Sequence, residues 1–93
     1  LQFDLPDHLA KARKGTLIKI QFKGSIAEES VVSDVFQRYH VKGNILHGKI
    51  EYIQEVPLGI FIMELIGERA EIDAAIEFIT HRTQSLEVLE DAA

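Results

Sequence analysis

The hydrophobic residues of this chain switch period four times, and the order of those switches narrows the topology to very few choices. TLIKIQFKG (16–24) alternates: Ile18, Ile20 and Phe22 fall on one face and Lys19, Gln21 and Lys23 on the other. Alternation of this kind is the pattern of a half-buried strand. From about 27 to 40 the spacing changes to Val32, Val35, Phe36 and Tyr39, which is i, i+3, i+4, i+7 and one face of a helix. Glu28 and Glu29 lie near its start and Arg38 and His40 near its end, where their charges suit the helix dipole. Val41–Gly43 reads as the turn out of it.

NILHGKIEYIQEV (44–56) is expected to be a long strand, with Leu46, Ile50 and Tyr52 on one face and Ile45, His47, Lys49, Glu51 and Ile53 on the other. Pro57 and Gly59 mark a reversal. LGIFIMELIG (58–67) is apolar on both faces, with Ile60, Ile62 and Ile66 opposite Phe61, Met63 and Leu65. Ile72, Ala75, Ile76 and Ile79 restore the helical spacing over roughly 69–82, and QSLEVLE (84–90) closes as a short strand.

The order β-α-β-β-α-β, with right-handed crossovers, puts both helices on one side of the sheet. The expected fold class is α/β (α+β): a ferredoxin-like sandwich with sheet order 4-1-3-2, strand 3 central and strand 2 at an edge. Whichever way strand 3 faces, it offers apolar side chains to the side without helices. Burial is worth about 25 cal/mol per Å², so a cover is expected there. A second copy of the domain is the simplest cover, since two-fold dimers are the commonest oligomers and an open edge strand invites pairing. The alternative cover is the segment LQFDLPDHLAKARKG (1–15). That segment is expected to be a connector from an upstream domain, leaving 16–93 as the domain proper.

With 93 residues there is room for one small domain. Such a domain buries only roughly 60–65% of its unfolded surface, so a partner surface would help it. The chain has no cysteine, which excludes a disulfide framework, a thiolate zinc site and an iron–sulfur cluster within it. Fifteen acidic against ten basic residues give a net charge of −5, unfavourable for a phosphate backbone. No apolar run approaches the ~20 residues of a membrane span, so direct membrane insertion is not expected. His8, His40, His47 and His81 form no paired metal motif, so neither a metal nor a catalytic site is expected. Glu64, inside strand 3, reads either as a buried acid or as a paired or solvated strand-end residue.

Asn44 sits between Gly43 and the apolar run. Asn in such a place is an ordinary turn residue that tolerates a left-handed backbone. Its amide also carries donors and an acceptor together, which suits the zwitterionic end of a free amino acid. Ile45, Leu46, Phe61 and Met63 are candidates for an apolar, polarizable pocket beside it.

The run GNILHGKIEYIQEVPLGIFIMELIGERAEIDAAIEFI resembles the NIL domain, named for its Asn-Ile-Leu, here Asn44-Ile45-Leu46. The resemblance covers 16–91, from the Leu17–Phe22 strand through the LG-containing third strand, the acidic second helix and the LEVLE ending. NIL domains are the C-terminal regulatory domains of ATP-binding subunits of bacterial methionine-import ABC transporters. The resemblance therefore implies a homodimer that binds L-methionine near its interface, with Asn44 as ligand contact. It further implies feedback transinhibition of uptake and an upstream ATPase domain joined to a permease subunit. The location it implies is cytoplasmic, at the inner face of the cell membrane. ATP and magnesium would belong to the parent subunit and no cofactor to this chain, which would do no chemistry itself. No GxxxxGK[ST] phosphate loop occurs in it.

Other functions on this topology fit less well. An ACT-like amino-acid sensor of another protein is the nearest alternative, and the NIL strand argues against it. An RNA-binding domain needs two strand-3 aromatics after a basic residue, and LGIFIMEL has one aromatic and no basic residue. An acylphosphatase-like enzyme needs an arginine in the loop after strand 1, and KGSIAE (23–28) has none. Topology alone does not choose among these.

Overall fold

The computed structural model describes residues 15–24 and 30–91. Strand β1 (Thr16–Lys23), helix α1 (Val31–Arg38), strands β2 (Val41–Ile53) and β3 (Val56–Gly67), helix α2 (Arg69–Arg82) and strand β4 (Ser85–Asp91) follow in the expected order. The sheet runs β2-β3-β1-β4 with every neighbouring pair antiparallel. This is the expected 4-1-3-2 order read from the other edge.

Period-two alternation decides which residues meet the helices. Ile18, Ile20 and Phe22 of β1, with Met63 and Leu65 of β3, form one core with Val31 and Val35 of α1 and Ile72, Ala75 and Ile79 of α2. Phe61 packs at the margin of this core, its ring edge-on to Phe22 at 5.4 Å. Phe36 and Tyr39 are half-buried rather than central, because α1 turns Val31 and Val35 inward. Glu28 and Glu29 lie outside the described residues. At one end of the sheet Arg69 grips Asp91 with two hydrogen bonds of 2.6 and 2.9 Å, and Thr16 Oγ1 donates to the same carboxylate at 2.9 Å. The start of β1, the end of β4 and the start of α2 are thereby joined. The hydrogen-bonded Asp91 carboxylate also raises the Arg69 pKa above its ordinary value.

Three expectations need correction. First, β2 begins at Val41, so Val41–Gly43 is strand and not turn. The ladder to β3 runs out to Val41 opposite Gly67. Second, the chain reverses at Gln54–Glu55, whose φ values of 52° and 67° give a tight two-residue hairpin. Pro57 lies within β3, opposite Tyr52. A central strand tolerates it there because β1 pairs with β3 only as far as Leu58, so Pro57 has a neighbour on one side only.

Third, β2 does not keep a single alternation. Ile45 is opposite Met63 and His47 opposite Ile62, so Leu46 is an extra residue, a β-bulge. The bulge moves Leu46 to the side away from the helices, where it packs on Leu17, Ile60 and Ile62. Ile45, Ile50 and Tyr52 stay on the helix side. The faces expected for Leu46 and Ile45 are therefore exchanged.

The apolar residues of β3 on the side away from the helices are not bare. Ile60 is 0% and Ile62 1% exposed, with Ile66 half-buried. The mismatch inferred from the sequence is thus absent at β3. The connector proposed as an alternative cover lies, in residues 1–14, outside the described residues. Exposed apolar side chains concentrate on β2 instead: Ile45, Ile50, Tyr52 and Ile53 are 52–69% exposed.

Candidate functional site

Asn44 lies four residues into β2, in extended backbone, directly opposite Glu64 of β3, which in turn faces Leu17 of β1. Gln54 and Glu55 are the non-glycine residues with positive φ among those described, so Asn44 is not a left-handed turn residue. Its side chain points to the face away from the helices. The main chain holds it by the ladder, which leaves the amide for other work.

Glu64 is 4% exposed within a largely apolar strand. A carboxylate taken out of water needs hydrogen-bond donors around it. The Asn44 Nδ2 donates to its Oε1 at 3.3 Å and the Gly15 backbone N–H to its Oε2 at 3.4 Å. Gly15 can come so near because it has no side chain. A Cβ there would lie 2.9 Å from the Leu65 carbonyl carbon and overlap its oxygen. Three strands therefore converge on one buried acid, and the exposed Asn44 amide is its link to solvent. The Asn44 side chain makes no other hydrogen bond among the described residues.

The five residues expected to form a site are not brought together within one chain. Asn44 and Leu46 share the face away from the helices. Ile45, Phe61 and Met63 lie on the helix side. Met63 is fully buried in the core, and Phe61 is half-buried with its ring against Gly48, whose Cβ position is 2.8 Å from the ring. Ile45 is exposed at the open edge. Glu64 completes the polar centre. The signal that pointed to it was an acid in the middle of an otherwise apolar strand. Its partner was not readable, since Asn44 is twenty residues away and the bulge shifts the register.

Two clefts flank this arrangement along the sheet. One of about 280 Å³, lined by His40, Val41, Lys42, Ile66 and Gly67, lies where β2 begins and β3 ends, and neither Asn44 nor Glu64 lines it. Another of about 400 Å³, lined by residues including Gln21, Lys23, Ile53 and Gln84, lies at the hairpin end. Among the described residues no three His, Asp or Glu side chains are placed to hold a metal. No helix among them is long and apolar enough to cross a membrane.

A four-stranded antiparallel sheet backed by two helices, with an amide and a buried acid paired where the edge strand meets its neighbour, defines a ferredoxin-like α+β domain. A profile of the NIL domain matches residues 16–88. The chain belongs to the NIL domain family. It is 54% identical over 90 residues to methionine import ATP-binding protein MetN 1 of Oceanobacillus iheyensis, covering 97% of this chain and 27% of that protein. It is 48% identical to MetN 2 of Shouchella clausii, covering 98% of this chain and 27% of that protein. The chain thus spans about a quarter of the length of these curated relatives. Among solved structures, the C-terminal domain of an ABC transporter ATP-binding protein from Enterococcus faecalis superposes with a TM-score of 0.73 at 27% identity. That match covers 89% of this chain and 92% of the solved one.

Proposed function

We propose that this domain binds L-methionine and regulates a methionine-import ABC transporter, slowing uptake when methionine inside the cell is plentiful. The observation that carries the reading is the Asn44 amide: exposed, in strand backbone rather than a turn, and anchored on a buried carboxylate. A turn residue needs no such anchor. The similarity to methionine import ATP-binding proteins over nearly the whole chain supports methionine as the ligand. Leu46 and the exposed Ile45 flank Asn44 and are the nearest apolar groups for a thioether side chain. Phe61 and Met63 would support these from behind the strand.

In this reading the domain does no chemistry. Methionine acts by binding one arrangement of the transporter better than another, and shifts the equilibrium by that difference in affinity and no more. The ATPase domain, with its ATP and magnesium, and the permease subunit are the partners, and the working location is the cytoplasmic face of the membrane. Isothermal titration tests the ligand. L-methionine binds, L-leucine and D-methionine bind more weakly or not at all, and Asn44→Ala loses about tenfold or more in affinity. Unchanged affinity in that variant removes Asn44 from the site.

The domain also pairs with a second copy. The support lies in β2, a 13-residue strand with no strand on its outer side among the described residues and with exposed Ile45, Ile50, Tyr52 and Ile53. Long edge strands with exposed apolar side chains invite pairing, and the charges on this one, Lys49 and Glu51, already pair with each other at 2.8 Å. Light scattering should give a dimer for the unaltered chain and a monomer for the double variant Tyr52→Lys, Ile53→Lys. A monomer for the unaltered chain at all micromolar concentrations rejects the pairing.

A further inference from the structure

Resting on the methionine reading above, we propose that Glu64 is a positioning residue that fixes the Asn44 amide in one sense, so that Asn44 receives the ligand's ammonium group and not its carboxylate. An Asn amide has two faces, an acceptor oxygen and a donor nitrogen, and nothing in the residue itself decides which faces a ligand. Here the neighbour decides. Both carboxyl oxygens of Glu64 act as acceptors here, Oε2 toward the Gly15 N–H and Oε1 toward Asn44, so the amide nitrogen is the end turned toward the acid, and Nδ2 donates to Oε1 at 3.3 Å. The Asn44 oxygen is then directed away from the acid.

Glu64 is itself held in place. It is 4% exposed, and its other oxygen accepts the Gly15 N–H at 3.4 Å. The acid therefore does not swing to follow a ligand. What arrives at Asn44 meets an outward acceptor oxygen, with a carboxylate behind it. A primary ammonium, with three donors, matches that surface. A ligand carboxylate would set one acceptor against another, with no proton to share. The chemical class selected at this point is thus a free α-amino group, and the ligand's carboxylate is left to other groups.

The test uses the unaltered chain, Asn44→Ala and Glu64→Gln, titrated with L-methionine, L-methioninamide and N-acetyl-L-methionine. Methioninamide keeps the ammonium and lacks the carboxylate; the N-acetyl compound does the reverse. Asn44→Ala should weaken methionine and methioninamide by the same factor, about 10–100-fold, the range for a hydrogen bond to a charged group. The N-acetyl compound, already without the ammonium, should change by less than about threefold, well within one hydrogen bond's worth. Glu64→Gln keeps the size but can donate as well as accept, so the amide is free to turn. The preference for methioninamide over the N-acetyl compound should then shrink, with the circular dichroism spectrum unchanged. A loss on Asn44→Ala that falls on the N-acetyl compound and spares methioninamide overturns the proposal. So does a Glu64→Gln variant with the original preference. Both leave methionine binding standing, whereas an unaltered chain that binds no L-methionine rejects the underlying reading and this inference with it.

Discussion

Gly15→Ala is expected to lower the stability of the domain by about 2 kcal/mol, although the substitution adds a single methyl group. Two effects oppose each other. Removing a glycine restricts the unfolded chain and by itself stabilises by about 0.4–1 kcal/mol. Against this, the new Cβ would overlap the Leu65 carbonyl oxygen and stand 2.9 Å from its carbon and 3.0 Å from the Ile66 Cγ1. Backbone cannot rotate out of the way as a side chain can, so β1 and β3 must separate where Thr16 pairs with Leu65. Overpacking of this kind costs about 1–3 kcal/mol, and the backbone clash puts it at the upper end. The same movement withdraws the Gly15 N–H from Glu64, loosening the acid that holds Asn44. Urea unfolding should therefore show a lower midpoint with an unchanged slope, and methionine affinity should fall in parallel. Gly24→Ala is the control: no atom of the described residues lies within 4 Å of its Cβ position. It carries only the strain of its φ of 70°, about 1–2 kcal/mol. A Gly15→Ala variant as stable as the original chain would mean that β1 and β3 do not meet at this distance.

The fold was legible because period and element order were nearly sufficient. Ile18, Ile20 and Phe22 declare their face by alternation, and Ile72, Ala75 and Ile79 declare theirs by helical spacing. What the sequence concealed depends on pairing between distant segments. Gly43 looks like a turn signal, yet it lies in strand opposite Leu65, and glycine is needed there because the Phe36 ring of α1 packs where a side chain would be. The hairpin turn at Gln54–Glu55 carries neither Gly, Asn nor Pro, so nothing in its composition announces it. The bulge at Leu46 moves half of β2 to the other face, and only the register with β3 reveals it. The site shares this history. Asn44 stood out from its neighbours alone, but that it rests on Glu64 follows from strand pairing, and so does the separation of Phe61 and Met63 from it.

Ile62→Ala is expected to cost about 2–5 kcal/mol, and the cost should not depend on protein concentration. The sequence leaves either Ile60, Ile62 and Ile66 or Phe61, Met63 and Leu65 on a face to be sealed, most simply by a second copy, and shortening a residue of a face so sealed would act on association. In the structure Ile60 and Ile62 are 0% and 1% exposed within the single chain, packed with Leu17 and Leu46. Three carbons removed from a buried site forfeit about 2.4 kcal/mol of transfer energy at about 0.8 kcal/mol each. The cavity left behind adds to that, giving the usual range for Ile→Ala. A domain of this size has a total stability of roughly 5–10 kcal/mol. The melting point should accordingly drop by about 10 °C or more, at 4–8 °C per kcal/mol. Ile53→Ala makes the comparison sharp. Ile53 is 52% exposed at the end of the edge strand, so its truncation should cost at most about 0.5 kcal/mol in the folding of one chain. If pairing runs along β2, Ile53→Ala should weaken the dimer, and Ile62→Ala should leave its dissociation constant nearly unchanged while lowering the melting point of monomer and dimer alike. The opposite pattern, with Ile62→Ala acting only on association, would place the interface on the sheet face and not along its edge.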